Sequence, residues 1–156
     1  MGNRRLIVDS FAPFSARLLS MAASLYIVVE GEDPGFDIFV NGHALARNED
    51  ALERLAERLN VHPLLEFFSA DENSMALLLE QGAADPEWAR HLPQPQWFDA
   101  SDGLLTVRAL LDFLGTTPAA LGSETHPVLS ELREYERVLR KTAQRGLHWH
   151  VAVSWR

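Results

Sequence analysis

The chain has 156 residues, 47% hydrophobic and 23% charged, the make-up of one folded domain rather than a fibrous or disordered polymer. It contains no cysteine, which excludes disulfides, a thiol nucleophile and cysteine-held metal or iron–sulfur sites. Its 14 basic residues against 22 acidic ones leave a formal charge of −8, and a phosphate-binding face needs clustered Lys and Arg, so no nucleic acid is expected as a partner.

Residues 1–23 differ in charge from the remainder of the chain, with Arg4, Arg5 and Arg17 against Asp9. Their apolar run is only Leu6, Ile7 and Val8, too short for the hydrophobic region of a secretory signal. They read as an N-terminal extension or as a segment docked through Phe11, Phe14, Leu18 and Leu19. No run long enough to span a bilayer occurs, so no membrane is expected and the default location is cytoplasmic. Lys141 is the only lysine, an arginine bias that points to a bacterial source.

Residues 24–156 read as a single α+β domain. Residues 25–30 (Leu-Tyr-Ile-Val-Val-Glu) are apolar on both faces and rich in β-formers, as in a central strand. The stretch 31–35 (Gly-Glu-Asp-Pro-Gly) is a turn, and 36–41 alternates Phe36, Ile38 and Val40 with Asp37, Phe39 and Asn41. A hairpin is therefore expected here. Asn48 is an expected N-cap, with Leu52, Leu55, Ala56 and Leu59 following at core-facing helical spacing until Asn60 and Pro63 stop the helix. Residues 64–69 suit a short strand or a buried turn equally well.

Asp71 is expected to cap a helix closed by Gly82, and Asp85-Pro86 to start a short turn containing Trp88. An extended connection leads to Asp99 and Asp102, which open a helix carrying Leu104, Leu105, Val107, Leu110, Leu111, Phe113 and Leu114, apolar on more than one side and so expected to be heavily buried. The next helix, from about 127 to 144, puts Val128, Leu132, Tyr135 and Leu139 on one stripe. Glu131, Glu134 and Glu136 come early in it and Arg140, Lys141 and Arg145 late, complementing the macrodipole. Residues 147–155 alternate Leu147, Trp149, Val151, Val153 and Trp155 with His148, His150, Ala152 and Ser154. These elements predict a three- to four-stranded antiparallel or mixed sheet, built from the N-terminal hairpin and the C-terminal strand, with about four helices on one face.

Motifs for nucleotide binding, serine hydrolysis and zinc proteolysis are absent. The sharpest local feature is His148 and His150, which alternation puts on one face of a strand roughly 6–7 Å apart. They would hold a metal if Asp37 supplied a third ligand from a neighbouring strand, with Glu30, His43 and His62 as weaker candidates. The simpler account is two histidines on the polar face of a half-buried strand, and no cofactor or metal is predicted. Asp99 and Asp102 are explained as helix-start residues, and Glu30, Glu32 and Asp33 as a solvated tip. Trp97 either covers the core or lines a patch that recruits a ligand. Ordinary folding signals thus account for nearly every reactive side chain. The expectation is a non-catalytic domain acting through a protein partner or a homo-oligomer, immunity- or inhibitor-like in that its negative charge steers it onto a basic surface. The alternative is a small metal-dependent hydrolase using His148, His150 and Asp37.

Overall fold

A computed structural model describes residues 23–69 and 95–154. Three strands, β1 (Ser24–Val29), β2 (Phe98–Asp99) and β3 (His148–Ser154), form an antiparallel sheet in the order β1-β3-β2. Four described helices, α1 (His43–Arg47), α2 (Glu49–Arg58), α3 (Ala100–Thr116) and α4 (Thr125–Gln144), complete an α+β fold, and none is long and apolar enough to cross a membrane. The helix expected after Asp71, the turn with Trp88, Trp155 and residues 1–22 lie outside the described residues.

The late strand, rather than the apolar run of residues 25–30 expected there, is the centre of the sheet, and β1 lies at its edge. Ser24 pairs with Ser154 and Val29 with Trp149 along one edge of β3, while Phe98 pairs with Trp149 and Asp99 with His148 along the other. The same second edge is continued by Phe68, which bridges to Val151 directly after a 3₁₀ turn at Leu64–Phe67. Residues 64–69 are thus a turn leading into a single bridge, a combination of the two forms that their sequence allows.

Leu25, Ile27 and Val29 from β1 and Trp149, Val151 and Val153 from β3 form one apolar face, buried in a single core with Val107, Leu110 and Leu114 of α3 and Val128, Leu132, Tyr135, Val138 and Leu139 of α4. The α4 stripe is the one expected from its periodicity. Helix α3 is less enclosed than its composition suggests, because Leu105 is 67% exposed. Gly103 lets α3 close on the sheet: a Cβ there would overlap Cζ2 of Trp149 and lie 2.8 Å from its Cε2. The indole is fixed in turn by its Nε1, which donates to the Asp99 carbonyl at 3.2 Å, and by the Phe67 ring, 5.1 Å away.

The expected N-terminal hairpin does not form. Residues 36–41 keep their alternation, with Phe36 and Ile38 half-buried, Val40 buried and Asp37, Phe39 and Asn41 exposed, yet they join no strand. Their backbone is claimed by α4 instead: Arg137 donates to the carbonyls of Asp37 and Phe39 at 3.0 and 3.2 Å, and the Asn41 N–H donates to the Glu134 carboxylate at 2.7 Å. The chain then returns to β1 at Gly42, whose carbonyl accepts from Leu25 N–H at 3.0 Å. Any Cβ at Gly42 would run into the Leu25 backbone, so only glycine allows this approach.

Helix α1, for which the sequence has no periodic signal, starts on a carboxylate supplied by another helix. Glu131 of α4 is buried and accepts from Ala44 and Leu45 N–H at 3.1 and 2.9 Å. A helix N-terminus leaves such amides without intrahelical partners, and a carboxylate satisfies them while complementing the dipole. Burial raises the Glu131 pKa, and the two backbone bonds pull against that rise. Asn48 ends α1 and precedes α2, but its side-chain amide donates back to the Ala44 carbonyl at 2.8 Å rather than capping α2. Asn60, with φ of 60°, closes α2, as Val61 N–H reaches back to the Ala56 carbonyl.

Candidate functional site

Strand β3 carries both histidines, and the structure separates their fates. His148 opens the strand and stands between two carboxylates: its Nδ1 is 2.9 Å from Glu30 Oε1, just past β1, and its Nε2 is 3.3 Å from Asp99 Oδ1, at the end of β2. The Glu30 hydrogen bond, helped by the nearby negative charge of Asp99, raises the His148 pKa, and the same hydrogen bond lowers that of Glu30. An imidazolium here ties together β1, β3 and the N-terminus of α3. Asp99 does occupy the N-cap position of α3, but its side chain makes no capping bond and turns to His148.

His150 lies on the same face as His148 and is 1% exposed, so it does not occupy an open polar surface. Trp97, itself 41% exposed, holds its ring 4.7 Å from that imidazole. The face turned away from the helices is therefore closed at His150 and at Ala152, which is also buried. Of the four residues singled out from sequence, Trp97 and His150 come together. Asp37 does not join them.

The position of Asp37 follows from the missing hairpin. β3 is flanked by β1 and β2, and residues 36–41 lie outside β1, so a strand stands between Asp37 and the histidines. The Asp37 carboxylate accepts from Phe39 N–H at 2.9 Å. Among the described residues, one group of three acidic or histidine side chains brings its donor atoms within 4.8 Å of one another, Glu49, Asp50 and Glu53, and it includes neither histidine. Those acids sit in the first turns of α2, where helix polarity explains them.

What sequence reasoning missed lies between β1 and residues 36–40. An open groove of about 700 Å³ runs along the outer edge of β1, lined by Tyr26, Ile27 and Val29 on one side and by Asp37, Ile38 and Phe39 on the other. Phe39 is 70% exposed, the most exposed of the large apolar side chains among the described residues. The exposed Glu32 and Asp37 are the charged residues among those lining the groove. Cations stand behind residues 35–39 on and just after α4, where Arg137 holds the backbone and Lys141 and Arg145 approach the Phe36 ring at 6.0 and 5.2 Å. A signal for the groove was present in the sequence, as two strand-like stretches joined by five turn residues, but it reads as a closed hairpin.

Comparison with protein-family models, curated proteins and solved structures returns no match.

Proposed function

We propose that the protein works by binding another protein rather than by catalysis, accepting a partner with a basic surface in the manner of an immunity protein or an inhibitor. The observation that carries this reading is the open groove beside β1, with the exposed Phe39 at its rim and, along its floor, the Ile27–Val29 edge of β1, which meets no backbone partner among the described residues. Exposed aromatic side chains next to apolar concavities are the usual anchors of protein interfaces. The net charge of −8 favours encounter with a basic partner. A metal-dependent hydrolase has no comparable support: His148 is engaged by two carboxylates, His150 is buried, and no third donor meets them among the described residues.

Selection of phage-displayed random peptides against the purified protein tests the reading. Binding clones that lose affinity for the Phe39→Ser variant, whose melting temperature should match the parent because the ring is exposed, support it. A selection that enriches no clone, or clones indifferent to F39S, overturns it.

A further inference from the structure

We infer that the groove is a slot for an inserted β-strand, and that its occupant is an extended, basic segment of a partner protein. The inference rests on the binding reading above and specifies its mode and chemistry.

The direction of the backbone groups of β1 carries the argument. Glu30 N–H donates to the His148 carbonyl at 2.8 Å, so the even-numbered residues of this stretch face β3. The odd-numbered ones face outward. Leu25 is satisfied there, its N–H by Gly42 and its carbonyl by the Tyr135 hydroxyl at 2.7 Å. The outward N–H and carbonyl groups of Ile27 and Val29 meet no hydrogen-bond partner among the described residues. Across the groove, residues 37, 39 and 41 give backbone groups to Asp37, Arg137 and Glu134, whereas those of Ile38 and Val40 meet none.

Two half-ladders thus border one gap. Ile27, Val29 and Val40 are only 2–4% exposed, so these groups lie at the floor of the groove, where leaving them without a partner is costly and where an added strand would satisfy both rows. The stretch from Tyr26 to Val29 extends for roughly 10 Å, which fits about four residues of an extended peptide. Its charge preference follows from Glu32 and Asp37, which line the slot while the cations of α4 are spent on the backbone and ring of residues 36–39. A second copy of this chain would bring the same acids and another −8 charge to the contact, which disfavours it.

The test titrates the full-length ¹⁵N-labelled protein with a six-residue peptide alternating valine and arginine, and with its valine–glutamate counterpart. The arginine peptide is expected to bind roughly five- to tenfold more tightly, to lose that advantage with Asp37→Asn and Glu32→Gln together, and to protect the Ile27 and Val29 amides from exchange. Two further versions of the arginine peptide, N-methylated at alternate residues in either phase, should both fail, because insertion uses both edges. Loss in one phase only means one-sided addition and overturns the slot. Equal binding of the two charge types overturns the basic occupant but leaves the binding reading standing. Absence of binding by either peptide overturns the inference alone if displayed clones still depend on Phe39, and removes the reading with it if they do not. Ile27 and Val29 amides already protected in the peptide-free protein would mean that the chain itself, or a second copy if protection rises with concentration, fills the slot, and would overturn it.

Discussion

Replacing Gly103 by alanine sets two effects of known size against each other. Alanine is favoured over glycine inside a helix by about 1 kcal/mol, and Gly103 has no unusual backbone angle to protect. Against this, the new methyl overlaps Trp149 Cζ2, lies 2.8 Å from Cε2 and is 3.1 Å from Leu139 Cδ1, where carbon atoms prefer about 3.5–4.0 Å. Trp149 is fully buried, hydrogen-bonded to Asp99 and packed on Phe67, so the ring cannot turn aside and α3 must lift from the sheet. Overpacking of this kind costs about 1–3 kcal/mol, and with close contacts to two residues we expect the upper half of that range. The net loss is then about 1–2 kcal/mol, a fall in melting temperature of roughly 2–8 °C for a chain of this length. Thermal melts followed by circular dichroism, with near-ultraviolet bands reporting the indole, measure it. Gly115, on the same helix with nothing within 4 Å of a Cβ, is the control, and G115A should stabilise by about 0.5–1 kcal/mol. If G103A stabilises as much as G115A, the close approach of α3 to Trp149 is refuted.

Truncating Glu131 to alanine leaves the Ala44 and Leu45 amides without their acceptor and should cost about 2 kcal/mol in denaturant unfolding, with Glu131→Gln losing roughly half as much because one oxygen remains; equal losses would contradict the capping role. The His148 contact should make stability depend on pH in a defined window. A histidine whose pKa is raised on folding contributes fully below its ordinary 6.5 and loses that contribution as pH rises through the folded value, while Glu30, lowered on folding, contributes above its ordinary 4.5 and loses that as pH falls. The melting-temperature gap between the parent and His148→Asn should therefore be widest between the ordinary values of 4.5 and 6.5 and shrink as pH rises through the folded His148 value, and a gap that does not change with pH would rule out the imidazolium bridge.

The parts of the fold legible in sequence were those whose signal is local and periodic. The stripe of α4, the strand ending the chain and the strand from the early apolar run all depend on side chains a few residues apart, and each element forms; periodicity did not give their setting, since β1 lies at the edge of the sheet rather than its centre and β3 is buried on both faces. Residues 36–41 show where periodicity stops being sufficient. Their side chains alternate in exposure as a strand's do, but pairing also depends on where the chain is held, and Arg137 and Glu134, more than 90 positions away, hold the outer backbone groups of residues 37, 39 and 41 and leave those of Ile38 and Val40 facing the groove. The acids of α4 illustrate the same limit: read along their own helix they complement its dipole, whereas in three dimensions Glu131 begins α1. For the site, alternation correctly put His148 and His150 on one face, and it carried no information that Trp97 closes over one of them or that Asp99 turns to the other. Gly42 and Gly103 had no signal at all, since what makes glycine necessary there is a neighbour distant in the chain.

The centre of the sheet is also the last described element to be synthesised. Every rung between β1 and β3 closes a loop of 120 residues or more, so the emerging polypeptide cannot pair the inner edge of β1 with its proper neighbour until translation has passed Trp149. At ordinary elongation rates of about 5–20 residues per second, that is an interval of roughly 6–24 seconds in which a ready-made template for aggregation stands uncovered. Helices α1 to α4 are synthesised before β3 but none of them pairs with that edge, so it is the unfinished chain, not the folded one, that carries the hazard.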